Sequence, residues 1–246
     1  MIRWLWVILV LMAWMPTPEQ TDGLLQAAAA YAQDDYAGAA AAYELAVVQG
    51  VDNGALRFNL AVVYQQMGDK GRAVLNYRRA FRWMPRDAAV LAGLAVARDQ
   101  REDALGDEQG AAGIVAGFAA LMTSGEMLWA VWWVFLLLAV MGATFLFAPS
   151  RWKGRLRRLL LGFSGLLVVL LLAVCLRGWV DTNRPAAVVV EAQVAVYSGP
   201  AADYLELYML HAGAELRRID RMDGWVRFEL ADGREGWLPE DAIEDV

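Results

Sequence analysis

Long charge-free runs, Ala-rich helical stretches and a final segment of alternating apolar and polar residues follow one another along this chain. Residues 127–147 and 159–176 are 21 and 18 residues long and hold no charged side chain. About 20 apolar residues match a hydrocarbon core roughly 30 Å thick, so both runs are predicted transmembrane helices. A shorter run, residues 4–15, follows Arg3; it suits the apolar region of a signal peptide, and Pro16 and Pro18 end any helix there. Residues 1–16 therefore read as a signal peptide or an uncleaved N-terminal anchor. The apolar stretch 111–122 places an interfacial segment over residues 109–126, where Gly113 and Gly117 permit close helix contact. Residues 24–100 are rich in Ala, with few Gly or Pro outside turns, which predicts helices. Beyond Asn183-Arg184-Pro185 the pattern turns to strands, with Val226, Phe228 and Leu230 inward and Arg227 and Glu229 outward.

Composition and charge sharpen this division. The 246 residues are 59% hydrophobic and only 20% charged, against about 45–50% and 25% in ordinary soluble domains. That excludes a disordered chain and a wholly soluble one. Residues 16–109 carry a net charge of −4 and residues 181–246 a net of −8, while the apolar remainder carries +6. Two acidic domains flanking basic apolar sequence argue against a nucleic-acid partner. The segment between the long runs, residues 148–158, has five basic residues and no acidic one. The positive-inside rule makes it a basic cytoplasmic loop and puts both acidic domains on the extracytoplasmic side. Eight of the 11 Trp lie in or beside apolar runs, as interfacial belts require. Neither span holds an ionisable group of the kind that transport needs, so the spans are expected to anchor.

In the first acidic domain, Ala39, Tyr43 and Ala46 recur 34 residues later as Ala73, Tyr77 and Ala80. The second copy is fuller: Leu60-Ala61, Tyr64, Gly68, Ala73, Tyr77, Ala80 and Pro85. This pattern resembles the tetratricopeptide repeat, whose small residues let paired helices approach while aromatic ones fill the gaps. The first copy departs from it: Tyr31 is off register and Gly50 stands near the terminal Pro position. A third copy begins at Ala88 and runs into the polar stretch Arg98-Asp99-Gln100-Arg101-Glu102-Asp103, expected to be a solvated cap helix. Residues 17–108 thus form two repeats plus a cap, five helices in all. The resemblance implies a protein-binding groove, and helical spacing puts Phe58, Val62 and Gln65 on its face. The same residues suit contact with a neighbouring helix equally well. No basic clamp for a carboxyl terminus is evident at these positions.

After a linker over residues 177–184, residues 185–246 hold Val194, Val196, Ser198-Gly199-Pro200, Gly213, Asp223-Gly224-Trp225, Asp232-Gly233-Arg234 and Gly236-Trp237-Leu238. These resemble the bacterial SH3 domain, a small β-barrel that binds cell-wall peptides or protein segments, or serves as a spacer. Asp232-Gly233 predicts a two-residue hairpin, and Asp223-Gly224 turns the chain just before Trp225. Tyr197, Trp225 and Trp237 are candidates for an SH3 groove; core positions are the alternative, favoured for Trp237.

Catalytic chemistry is sparse. The single Cys175 permits no intramolecular disulfide, and the single His211, in an expected loop, permits no histidine metal cluster or Ser-His-Asp set. Gly68-Asp69-Lys70-Gly71 lacks the spacing of a phosphate loop and fits an inter-helix turn. Asp34-Asp35 and Glu244-Asp245 read as solvated turns and tails. No catalytic site, cofactor or metal is expected. The fold class is a multidomain membrane protein: an all-α tetratricopeptide domain, a two-helix transmembrane hairpin and an all-β SH3-like barrel. This order of parts resembles the BatE-like members of the bacterial aerotolerance (Bat) family. The resemblance implies a scaffold in the bacterial cytoplasmic membrane, acting beside von Willebrand A-domain membrane proteins and a MoxR-type ATPase in stress tolerance. A sensor that binds peptidoglycan through the SH3 domain is the alternative.

Overall fold

The computed structural model describes residues 18–103 and 122–246. The predicted signal or anchor segment and most of the interfacial segment, with its Gly113–Gly117 pair, lie outside the described residues.

Five helices form the first unit: α1 (Pro18–Ala32), α2 (Tyr36–Val48), α3 (Gly54–Met67), α4 (Lys70–Trp83) and α5 (Ala88–Asp99). Short polar residues start four of them. The side chains of Asp35, Asn53, Asp69 and Asp87 accept hydrogen bonds from the first free backbone N–H groups of α2, α3, α4 and α5. Gly68 ends α3 at φ 77°, a left-handed conformation that costs glycine little, and Asp69 starts α4 immediately. The 34-residue periodic positions are all interior: Ala39, Tyr43, Ala46, Ala73, Tyr77 and Ala80 are buried. The Tyr77 ring lies so close to Gly93 of α5 that a Cβ there would sit 2.4 Å from it. A small residue in α5 thus admits the aromatic ring of α4. The buried Arg57 is held bidentately by Asp52, through Nε at 2.7 Å and a terminal nitrogen at 2.8 Å. That hydrogen bond is the main cause holding the Asp52 carboxyl below its ordinary range.

Two long apolar helices pack antiparallel as a hairpin: α6 (Ser124–Phe147) and α7 (Ser150–Asn183). Both are long and apolar enough to cross a membrane, and neither buries its apolar window in the protein. Thr123 and Glu126 close a capping box at the start of α6, so residues 124–126 already belong to this helix. The boundaries drawn around the second run change more. The basic stretch 148–158 is no loop: only Ala148 and Pro149 join the helices, and α7 already contains all five basic residues. The expected linker 177–184 is likewise helical through Asn183. No proline interrupts residues 150–183, and Arg and Lys propagate a helix well, so it runs on until Pro185 stops it.

The C-terminal unit has seven strands among the described residues: β1 (Ala186–Val189), β2 (Gln193–Tyr197), β3 (Glu206–His211), β4 (Glu215–Met222), β5 (Trp225–Glu229), β6 (Glu235–Pro239) and β7 (Ile243–Asp245). Neighbouring strands are antiparallel in the order β3-β2-β6-β5-β4-β1-β7. The alternation on β5 holds: Val226, Phe228 and Leu230 point into a core shared with Val194, Val196, Leu210, Leu216 and Leu238. Asp223 and Gly224 both have positive φ, 49° and 81°, and join paired Met222 and Trp225 as a two-residue type I′ hairpin. The turn at Asp232-Gly233 is longer than expected. Leu230 N–H donates to Arg234 O, so three residues, 231–233, form the loop, with Gly233 left-handed at φ 84°.

Candidate functional site

The helical unit and the barrel meet across a charged clasp. Its centre is Glu215, the first residue of β4, whose side chain is only 17% exposed. Arg98 of α5 holds both of its oxygens, through Nε at 2.6 Å and a second nitrogen at 2.8 Å. Arg78 of α4 approaches at 3.0 Å and Arg101, just beyond α5, at 3.2 Å. Burial is the largest single influence on this carboxyl and pushes its pKa up. The Arg98 hydrogen bond and the charges of Arg78, Arg98 and Arg101 outweigh it, so the net shift is downward. Of the polar stretch 98–103, Arg98, Arg101 and Asp103 thus face the barrel, while Asp99, Gln100 and Glu102 stay exposed as a cap would.

A second row of contacts flanks the clasp. His211, the last residue of β3 rather than part of a loop, donates its backbone N–H to Asp103 at 2.7 Å, and its Nδ1 lies 3.1 Å from the same carboxylate. Lys70 pairs with Glu102 at 3.0 Å; this hydrogen bond is the main cause lowering the Glu102 pKa. On the other side, Arg79 Nε donates to the main-chain oxygen of Asp245 at 3.1 Å, and a terminal nitrogen of Arg82 donates to that of Val246 at 2.5 Å. Arg79 also pairs with Glu244, and Arg218 with Asp245. Glu244-Asp245 is thus a paired strand, not a solvated tail.

Apolar packing fills the space between these polar rows. Ala61, Val74, Leu75, Tyr77, Leu94 and Ala97 of the helical unit form one cluster with Val188 of β1, and Phe58, Val62, Val190 and Val246 pack against it. The backbones come close enough that a Cβ on Gly71 would lie 2.8 Å from Val189 O. Phe58 and Val62, equally suited by sequence to a partner groove and to a neighbouring helix, pack onto this interdomain cluster. Gln65 turns to its neighbour and accepts a 2.7 Å hydrogen bond from the Tyr77 hydroxyl. The barrel packs beside Phe58 and Val62, while the contact of Gln65 stays within the helical unit. Arg79 and Arg82 supply the basic contacts to main-chain oxygens that were not evident at the Phe58, Val62 and Gln65 positions. No sequence pattern separated these arginines from ordinary surface charge.

The three barrel aromatics assemble differently. Tyr197, Trp225 and Trp237 are each partly exposed, and none belongs to the barrel core. Trp237 lies opposite Tyr197 and Arg227 in register, on the outer face, which corrects its expected core position. Its neighbour Gly236 takes the inward place, where a Cβ would stand 2.2 Å from Val196. The Tyr197 and Trp225 rings meet edge to face at 5.4 Å. A hollow beside Trp225 is bounded by Pro239, Glu240 and Asp241. The exposed side chains of Leu205, Leu207 and Met209 extend the apolar surface from β2 toward β3; sequence reading missed this edge because Leu and Met there alternate with the partly buried Tyr208 and the core residue Leu210.

Residues 190–245 match the bacterial SH3 domain family. That match covers the barrel from the end of β1 through β7 and associates it with protein or cell-wall binding. A comparison with curated proteins finds no match for the chain.

Proposed function

We propose that this chain is a non-enzymatic membrane scaffold whose SH3 domain holds a segment of a partner protein on the extracytoplasmic side of a bacterial cytoplasmic membrane. The observation that carries the proposal is the division of surfaces. The helical unit's Phe58–Val62 region is covered by the barrel, while the aromatic face of Tyr197, Trp225 and Trp237 remains accessible. Aromatic side chains beside Glu240 and Asp241 suit an extended segment that combines apolar and basic residues.

The membrane reading rests on α6 and α7, whose large side chains, from Trp129 to Leu176, stand exposed along both helices. A surface of that extent would aggregate in water and is at home in a bilayer. The clasp supports the topology independently of the basic-residue bias. Domains that dock through Glu215 must lie on one side of the membrane, as two crossings between them allow. Helices α1 to α5 are taken as two tetratricopeptide repeats and a docked last helix, a reading supported by burial of the 34-residue periodic positions. The order of parts favours a Bat-type complex, with von Willebrand A-domain membrane proteins and a MoxR-type ATPase system as partners.

Co-purification from crosslinked membranes tests the face. Tyr197→Ala/Trp225→Ala is expected to lose the proteins that the wild-type chain recovers. Unchanged recovery would sink the assignment. Sedimentation of the detergent-solubilised full chain with purified peptidoglycan separates the alternative: retention that depends on the same two residues replaces the scaffold reading with a cell-wall sensor.

A further inference from the structure

The turn of the hairpin contains a cleft that the scaffold reading leaves unused. Thr144 and Phe147 at the end of α6 and Trp152, Arg155, Leu156 and Leu159 in the first turns of α7 line a volume of about 780 Å³. Small-molecule sites span about 300–1,000 Å³. The Thr144 hydroxyl is engaged, donating to Met141 O at 2.8 Å. Arg155 is therefore the charged group of an otherwise apolar wall, its guanidinium 5.8 Å from the centre of the Trp152 ring. Arg151, Lys153, Arg157 and Arg158 surround it in sequence, and no acidic residue occurs between Glu126 and Asp181. Five cations thus gather where the hairpin supplies no counter-charge.

A ligand that fits must be anionic at one end and hydrocarbon at the other. Inorganic phosphate would satisfy Arg155 and leave Phe147, Leu156 and Leu159 uncovered. We propose that this cleft binds an anionic phospholipid, with its headgroup phosphate on Arg155 and an acyl chain along the apolar wall. Helix α7 has the length for this. Its 34 residues span about 50 Å at about 1.5 Å per residue, so its basic first turns reach the headgroup layer. The inference rests on the reading of α6 and α7 as membrane spans.

The test uses the full chain in nanodiscs of phosphatidylcholine containing a minor fraction of phosphatidylglycerol, with retained lipid counted by native mass spectrometry. Wild type is expected to retain phosphatidylglycerol selectively. Arg155→Gln should lower that selectivity by clearly more than the roughly fivefold that diffuse attraction of one basic residue near a surface supplies. Arg158→Gln removes the same charge outside the cleft lining and should change it less. Equal effects of the two variants would mean diffuse attraction and overturn the site. Displacement of the lipid by millimolar inorganic phosphate would overturn the lipid in favour of a free anion. Extraction of wild type from membranes by alkaline carbonate would overturn the membrane spans and the cleft together. Resistance to carbonate with unchanged Arg155→Gln selectivity overturns the cleft alone.

Discussion

Arg98 grips Glu215 with two nitrogens, at 2.6 and 2.8 Å, across 117 residues of chain and the whole membrane hairpin. The pair joins α5 to β4, and Arg78 and Arg101 approach the same carboxylate at 3.0 and 3.2 Å.

Glu215→Gln should therefore loosen the docking of the two domains without unfolding either. Removing one partner of a buried ion pair costs about 3–5 kcal/mol, and about 3 is expected here because Arg98 is still partly exposed. Hydrogen exchange in residues 98–103 should speed up by tenfold or more, while exchange in the β5 core around Phe228 stays unchanged. Protection of 98–103 equal to wild type would refute the role given to Glu215.

The same carboxylate makes docking sensitive to acid. Its folded pKa lies below the ordinary glutamate value of 4.5. The contribution is therefore fully present above about pH 4.5 and is lost as pH falls through the lower, folded value. Protection factors in residues 98–103, exchange rates divided into the intrinsic rate at each pH, should fall between pH 5 and pH 3 in wild type. In Glu215→Gln protection should already be low and change less over that window.

Gly71→Ala separates helix propensity from docking. Within α4, alanine should favour the helix by about 1 kcal/mol over glycine. Its Cβ would, however, stand 2.8 Å from Val189 O, so the backbone of one unit must shift to admit it. Weaker docking, seen as faster exchange in residues 98–103, is expected despite the better helix. Tighter docking would show that the two backbones have room to part.

Gly224→Val tests the barrel turn. Gly224 has φ 81°, and a left-handed residue other than glycine costs about 1–2 kcal/mol. Exchange across residues 222–239 should increase accordingly. Asp223→Asn should be close to neutral, because Asn-Gly is equally suited to a type I′ turn.

Much of the architecture was legible because it is periodic and local. Helix positions repeating at 34 residues, strand alternation on β5 and Asp-Gly turns each depend on a few neighbouring side chains. Trp237 was misjudged because its size argues for a core, whereas the pleat alternates and Gly236 takes the inward place against Val196. Helical spacing puts Phe58 and Val62 on one face of α3. Whether that face meets a partner or the chain's own barrel depends on residues 188–190 and 246, which no helical pattern contains.

The sequence by itself determined the kinds of element, their order and the two candidate spans, though not where α7 begins and ends or the length of the 231–233 turn, since hydrophobic period and turn chemistry act within a few residues. It also set the charge division, acidic domains around a basic apolar hairpin. Only the tertiary structure decided that Arg78, Arg98 and Arg101 converge on Glu215, and that one domain covers the binding face expected of the other. Each of those charges, taken alone, is indistinguishable from a solvated surface residue. Its energy depends on distance and burial, and these exist only once segments over a hundred residues apart have been brought together.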